Sequence, residues 1–385
     1  MPESIKVELL PEGTQYVGNT PTGMGTLYVA FSPRVVEQSS PHSHWDPNLN
    51  TVRAAIAAGA DPLELEANRG APITDPKQLK NNPTNGSERT IMIYPPKSPS
   101  RTGFHNTNAD PYWLCFDKTG DTLYVANSAH QIQVLDATNG NRVISNLPVQ
   151  MNGFVTDLSL SGDGRYILAA VLAASPGVMM IDTTTKQPLA YLSVDGVGAM
   201  SPTAVASSPD GSKIFVTLDG QMGQAGQGLL AAIDPRTGMT LGTAPVGSKP
   251  SGLALSKDGR LAYVVNSSNG NVTVVDTIPM QAYSPIGVGV APQKIAATPD
   301  GTKFLVTNSG SASVSVIDAA TNRVVGTVPV GNGATDIKLS PDGTRAYVSN
   351  RDDGTISVID TTSLKAIHVT DAMPRSSPIG LAVRP

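Results

Sequence analysis

Four of the five histidines in this chain of 385 residues fall in its first third: His42, His44, His105 and His130. His42 and His44 form an H-x-H in the stretch PHSHWD, and on an extended segment such a pair can offer two imidazoles to one ion. Three or four imidazole nitrogens meeting at about 2 Å from one centre suit copper or zinc. A single cysteine, Cys115, provides no thiolate cluster, and no carboxylate-rich loop invites calcium. Loop histidines are common, so the same four residues could instead hold an anionic ligand, move protons, or have no role.

Residues so far apart in sequence need a fold to gather them, and the chain announces one by repetition. The tetrapeptides YVAN (Tyr124–Asn127), YVVN (Tyr263–Asn266), LVTN (Leu305–Asn308) and YVSN (Tyr347–Asn350) follow tight glycine turns and precede strands that end in Asp. Repetition at a period of about 40 to 50 residues marks modules that bury their apolar faces only against each other. Turn glycines Gly120, Gly164, Gly211, Gly259, Gly301 and Gly343 mark six copies. Each reads as four short antiparallel strands, A to D from the inside outward, with glycine supplying the positive φ of the A-to-B hairpin. A seventh copy is split. The chain ends on SPIGLAVRP (Ser377–Pro385), which matches strand A, while GTLYVAFS (Gly25–Ser32) matches a strand B with no strand A before it. Joining the two removes free sheet edges and predicts an all-β, seven-bladed β-propeller with a terminal clasp.

From Gly25 to Pro385, one insertion apart, the chain resembles the YVTN-repeat β-propeller family. The resemblance implies the fold. On activity it is nearly silent, because relatives include cell-envelope and surface-layer proteins, lactonase-like propellers and the electron-transfer propellers of amine dehydrogenases and nitrous oxide reductase. Function must therefore be argued from the site.

The insertion, Pro33 to Arg89, separates strand B of the clasp blade from its strand C (Thr90–Tyr94). Its length predicts a functional cap within a single domain spanning residues 1–385. Residues 50–59 (NTVRAAIAAG) read as a short helix with an Asn cap and a Gly stop, and 72–87 as irregular. His42 and His44 lie in this B-to-C connection, His105 in the connection leading toward the next blade, and His130 in that blade's B-to-C turn, where other copies put Asn, Gly or Asp. Since B-to-C turns and D-to-A connections open on one face, topology predicts all four imidazoles there. His368 falls on an outer strand and is expected to face solvent.

Strand A should line the central tunnel. The aligned positions at its mouth include Trp113, Asp157, Lys294 and Asp336 among small residues, and the next layer holds Cys115, Ser159 and Lys338 among alanines. Asp157, Asp336 and Lys294 could form a structural ion network, anchor a ligand or act as an acid–base set. Trp113, with Cys115 behind it, is expected to contact substrate.

Composition narrows the field. Net charge is -4 with 15% charged residues, so no basic face for nucleic acid is expected. No stretch approaches the 18 or so apolar residues of a membrane span, and Met1–Gly13 lacks the apolar run of a signal peptide. The chain reads as cytoplasmic as written, or periplasmic or secreted if a leader has been removed. The leading expectation is an enzyme (oxidoreductase, lyase or hydrolase) acting on a small molecule with copper or zinc held by His42, His44, His105 and His130. The alternative is a non-enzymatic cell-envelope or interaction scaffold that binds a protein or glycan.

Overall fold

A computed structural model describes residues 27–33, 90–94, 103–106, 109–138, 141–194, 200–220, 226–371 and 376–385. Compactness divides the chain into two units, residues 19–33 with 89–385, and residues 1–18 with 34–88. The second unit, including the expected cap and its helix at 50–59, lies outside the described residues.

The described chain is almost wholly antiparallel sheet. At its start stand β1 (Leu27–Pro33), β2 (Thr90–Tyr94) and β3 (Gly103–Asn106). Six self-contained blades follow in chain order. The first is β4 (Pro111–Phe116), β5 (Thr122–Asn127), β6 (Gln131–Asp136) and β7 (Arg142–Pro148). The second is β8 (Phe154–Leu160), β9 (Tyr166–Leu172), β10 (Gly177–Asp182) and β11 (Pro188–Ser193). The third is β12 (Ser201–Ser207), β13 (Ile214–Asp219), β14 (Leu229–Ile233) and β15 (Thr240–Pro245). The fourth opens with β16 (Pro250–Leu255), β17 (Leu261–Asn266) and β18 (Asn271–Asp276). Its outer strand is broken into β19 (Gln281–Ala282) and β20 (Ile286–Gly287), a departure from the four continuous strands expected of each copy. Pro285 lies in the gap and cannot donate to the ladder. The fifth is β21 (Pro292–Ala297), β22 (Lys303–Asn308), β23 (Ser313–Asp318) and β24 (Arg323–Pro329). The sixth is β25 (Ala334–Leu339), β26 (Arg345–Asn350), β27 (Thr355–Asp360) and β28 (Lys365–Asp371).

The last strand, β29 (Ser376–Val383), pairs antiparallel with β1, Leu27 opposite Val383 and Pro33 opposite Ser376. The resulting sheet has the order β29-β1-β2-β3. The architecture is thus an all-β propeller in which six blades are self-contained and the two ends of the chain share one composite sheet. The inner strands β4, β8, β12, β16, β21, β25 and β29 are successive neighbours that return on themselves.

The repeated tetrapeptide has a physical reason. Middle strands are packed on both faces between blades, so β5 is buried at every position rather than alternately. Tyr263 stacks on Phe304 of the next blade with ring centroids 3.8 Å apart, and its hydroxyl donates to Asn322 Oδ1 at 2.7 Å. The terminal Asn is a buried clasp. Asn266 Oδ1 accepts the Gly247 N–H at 2.9 Å while its Nδ2 donates to Asn271 Oδ1 and Thr273 Oγ1. One side chain thereby ties the connection entering a blade to the turn between its second and third strands. Asn308 repeats the arrangement with Gly289, Ser313 and Ser315.

The A-to-B hairpins are equally uniform. All six turn glycines have positive φ, from 69° to 78°. In each turn a Ser or Thr hydroxyl and a downstream backbone N–H converge on one Asp oxygen, as at Asp210, Asp300 and Asp342. These bonds, the hydroxyl first, hold the three carboxyls at about 2 against an ordinary 3.8. A depressed folded-state value means the stabilisation is complete above the unfolded value and is lost as pH falls through the folded one. The urea midpoint should hold down to about pH 4 and drop between about pH 4 and 2, and the combined S208A, T298A and S340A variant should show a smaller drop. Deleting Ser377–Pro385 should remove the partner of β1, expose sheet edges and abolish soluble folded protein; a truncated chain melting within a few degrees of the parent would refute the clasp.

Candidate functional site

The inner strands bring together residues from distant blades. Lys294 on β21 and Asp157 on β8 lie three blades apart, and the Lys294 Nζ to Asp157 Oδ1 distance is 2.7 Å. This ion pair crosses the tunnel. The same ammonium sits 4.3 Å from the centroid of the Trp113 ring on β4, a cation–π contact. The other Asp157 oxygen accepts the Val205 N–H at 3.1 Å. The side chains of Lys294 and Asp157 are only 12% and 15% exposed. Aligned neighbours Ala204, Gly252, Asp336 and Gly380 are buried too. The mouth of the tunnel is therefore filled by the protein's own side chains.

Crowding explains the small residues in this ring. A Cβ on Gly380 would run into the Tyr112 carbonyl, and one on Gly252 would lie 2.8 Å from the Gln293 carbonyl oxygen.

Asp336 does not join the Lys294–Asp157 pair. Its Oδ1 accepts the Ile337 N–H at 2.8 Å, its Oδ2 accepts the Leu381 N–H at 2.9 Å, and Lys338 Nζ lies 3.5 Å from Oδ1. Its side chain is 2% exposed. It is a strap from β25 to β29 rather than a group facing solvent. Cys115 is half-buried, with its thiol donating to the Phe116 carbonyl at 3.5 Å. Burial pushes this thiol up to about 12, against the opposing influence of Lys338. It is thus a protonated, weakly nucleophilic group at neutral pH. Alignment of the repeats puts Lys338 in the second layer and attaches no role to it. Its signal in the sequence is a lysine where four other copies carry alanine. Burial alone would lower its pKa, but Asp336, Asp157 and Cys115 outweigh that and raise it, so it is an ammonium.

His130 sits in the turn between β5 and β6. The Ser128 N–H donates to the Asp110 carbonyl and the Val149 N–H to the His130 carbonyl, so the second-to-third-strand turn of the first blade lies beside the connections entering the first and second blades. His130 is exposed, and its Nδ1 lies 3.2 Å from the Gly153 carbonyl oxygen. Its backbone has φ 56°, the left-handed region, where the equivalent residues of other blades are Gly270, Ala312 and Gly354. His105 lies in β3, paired with Ile91, and not in the connection expected from the sequence. The outer strand simply extends to Asn106, leaving His105 one residue from the end that leads to β4. His42 and His44 lie outside the described residues. His368 is exposed on β28, opposite Val358. Among the described residues no three His, Cys, Asp or Glu side chains converge.

No protein-family model matches the chain, and no curated protein does. Solved structures do. Hydrazine synthase of Kuenenia stuttgartiensis superposes with a TM-score of 0.64 at 20% identity, covering 72% of this chain and 91% of that one. A functionally unknown protein of Desulfotomaculum acetoxidans gives 0.64 at 15% identity, over 77% and 95%. The dihydro-heme d1 dehydrogenase NirN gives 0.55 at 16% identity, over 77% and 73%. These likenesses establish a β-propeller; the YVTN family stays a resemblance.

The tunnel pair makes a stability test. D157N alone leaves the Lys294 ammonium without its counter-charge and should cost about 3–5 kcal/mol, whereas the double variant D157L/K294M should melt close to the parent. A neutral D157N would show that the pair is solvated, contrary to the burial described.

Proposed function

We propose that this propeller, with the composite sheet counted as a seventh blade, is a small-molecule enzyme that works at the face where the blade-entering connections open. A copper or zinc ion would be held there by His130 and His105, with His42 and His44, which lie outside the described residues, as the sequence's candidates for the remaining ligands. The observation that carries the reading is His130. The Gly153 carbonyl meets Nδ1, which favours the tautomer with Nδ1 protonated and leaves Nε2 as a lone-pair donor, the state a metal ligand needs. Two of the solved propellers that superpose on the chain, the hydrazine synthase and the dehydrogenase, are enzymes by name.

In this reading the metal supplies Lewis acidity or an activated water. The chain's own residues do the rest. Trp113 offers an aromatic wall at the mouth, Lys294 anchors an anionic group of the substrate, and Asp157, released as Lys294 turns to that group, takes a proton. Asp336, bound by two backbone N–H groups, is left the part of a strap. Buried charge pairs of this kind add little stability over apolar replacements, and retention of one at a tunnel mouth supports a ligand role.

The test compares histidines by position. H130G should bind less than a stoichiometric equivalent of zinc or copper by calorimetry while gaining up to about 1 kcal/mol of stability from relief of the positive φ. H105A should also lose binding, and H368A should match the parent. A parent that binds no metal, or an H368A loss equal to that of H130G, would turn the reading toward a scaffold.

A further inference from the structure

Below the plugged mouth the tunnel changes character. The second layer carries Ala206, Ala254 and Ala296, each half-buried, and Ala382, with Cys115, Ser159 and Lys338 among them. Since β25 is the innermost strand of its blade, the accessible 39% of the Lys338 side chain faces the tunnel. Its hydrogen-bonding capacity is largely unspent. Asp336 gives its oxygens to the backbone N–H groups of Ile337 and Leu381, and the ammonium reaches it only at 3.5 Å. Among the described residues no other carboxylate lies within ion-pair distance of it. β25 and β4 both flank β29 in the ring of inner strands, so Lys338 and Cys115 belong to the same sector of the tunnel wall.

We infer that this layer is a second ligand site, distinct from the histidine rim, that takes a small aliphatic monocarboxylate. One ammonium with free donors supplies the polar anchor, and the alanines supply an apolar wall for a short alkyl tail, the usual make-up of a small-molecule site. Charge decides against larger anions. Asp157 and Asp336 lie close enough to raise the Lys338 pKa, and they would repel a phosphate dianion more than a carboxylate. The Lys294–Asp157 pair and Trp113 close the tunnel above the site, so the ligand enters from the hairpin side.

Cys115 is the only cysteine and reports occupancy directly. The probe is sodium butyrate, added to the full chain at constant ionic strength against sodium chloride. Butyrate should raise the melting temperature saturably and, at ten times its half-saturating concentration, should slow N-ethylmaleimide labelling of Cys115 by about tenfold. K338M should lose both effects. If K338M does not fold, A254V decides, because it narrows the wall and keeps the charge, and it should weaken both effects. H130G should respond as the parent does, which separates this site from the metal reading. A parent indifferent to butyrate, or parental protection in K338M or A254V, overturns the proposal.

Discussion

Each inner strand of a propeller is a sheet edge, and an edge leaves backbone groups that must find partners. Here the strands also slip register near their starts, as between Val155 and Asp157 or between Ala334 and Ile337, which frees further groups. Short polar side chains on one blade satisfy the backbone of the next. Asp157 accepts from Val205, Asp336 accepts from Leu381, and Thr156 donates to the Pro202 carbonyl. Ser251 donates to the Gln293 carbonyl, and Ser349 to that of Ile379. These lateral bonds act together with the apolar clusters that span neighbouring blades.

That constraint sorts the tunnel residues by what remains of them after the stitching. Asp336 engages both oxygens with backbone N–H groups and keeps only a long contact to Lys338 at 3.5 Å. Asp157 spends one, and the other is free to meet Lys294 across the axis. Lys338 belongs to neither pattern, because the carboxylate beside it is committed elsewhere. Two aspartates at equivalent positions of the repeat therefore have different chemical freedom, because two backbone N–H groups meet Asp336 while one N–H and the Lys294 ammonium meet Asp157.

Much of the fold was legible because the repeat is written in residues that each have one mechanical role. The turn glycines take positive φ, the turn Asp gathers a hydroxyl and an N–H, and the buried Asn ties two connections. The pairing of β29 with β1 could be read from matched fragments at the two ends. What was not legible depended on distance across the ring. Alignment put Asp157, Lys294 and Asp336 in one layer but not in contact pairs, since a tie between blades three apart leaves no local pattern. Likewise the end of β3 moved past His105, because an outer strand is set by its neighbour's length and not by its own periodicity. The broken outer strand of the fourth blade did have a signal, Pro285 inside a stretch otherwise read by analogy.

The two ends of the tunnel follow from the same geometry. Seven strands converging on an axis leave room for little more than alanine or glycine, so any long side chain there must lie across the opening or along it. Lys294 lies across, pinned between a carboxylate and an indole, and closes the mouth. Lys338, one layer down and already beyond that closure, keeps 39% of its side chain accessible. A lysine in the ring thus becomes a plug or an anchor according to whether a free carboxylate stands opposite, and this chain holds one of each.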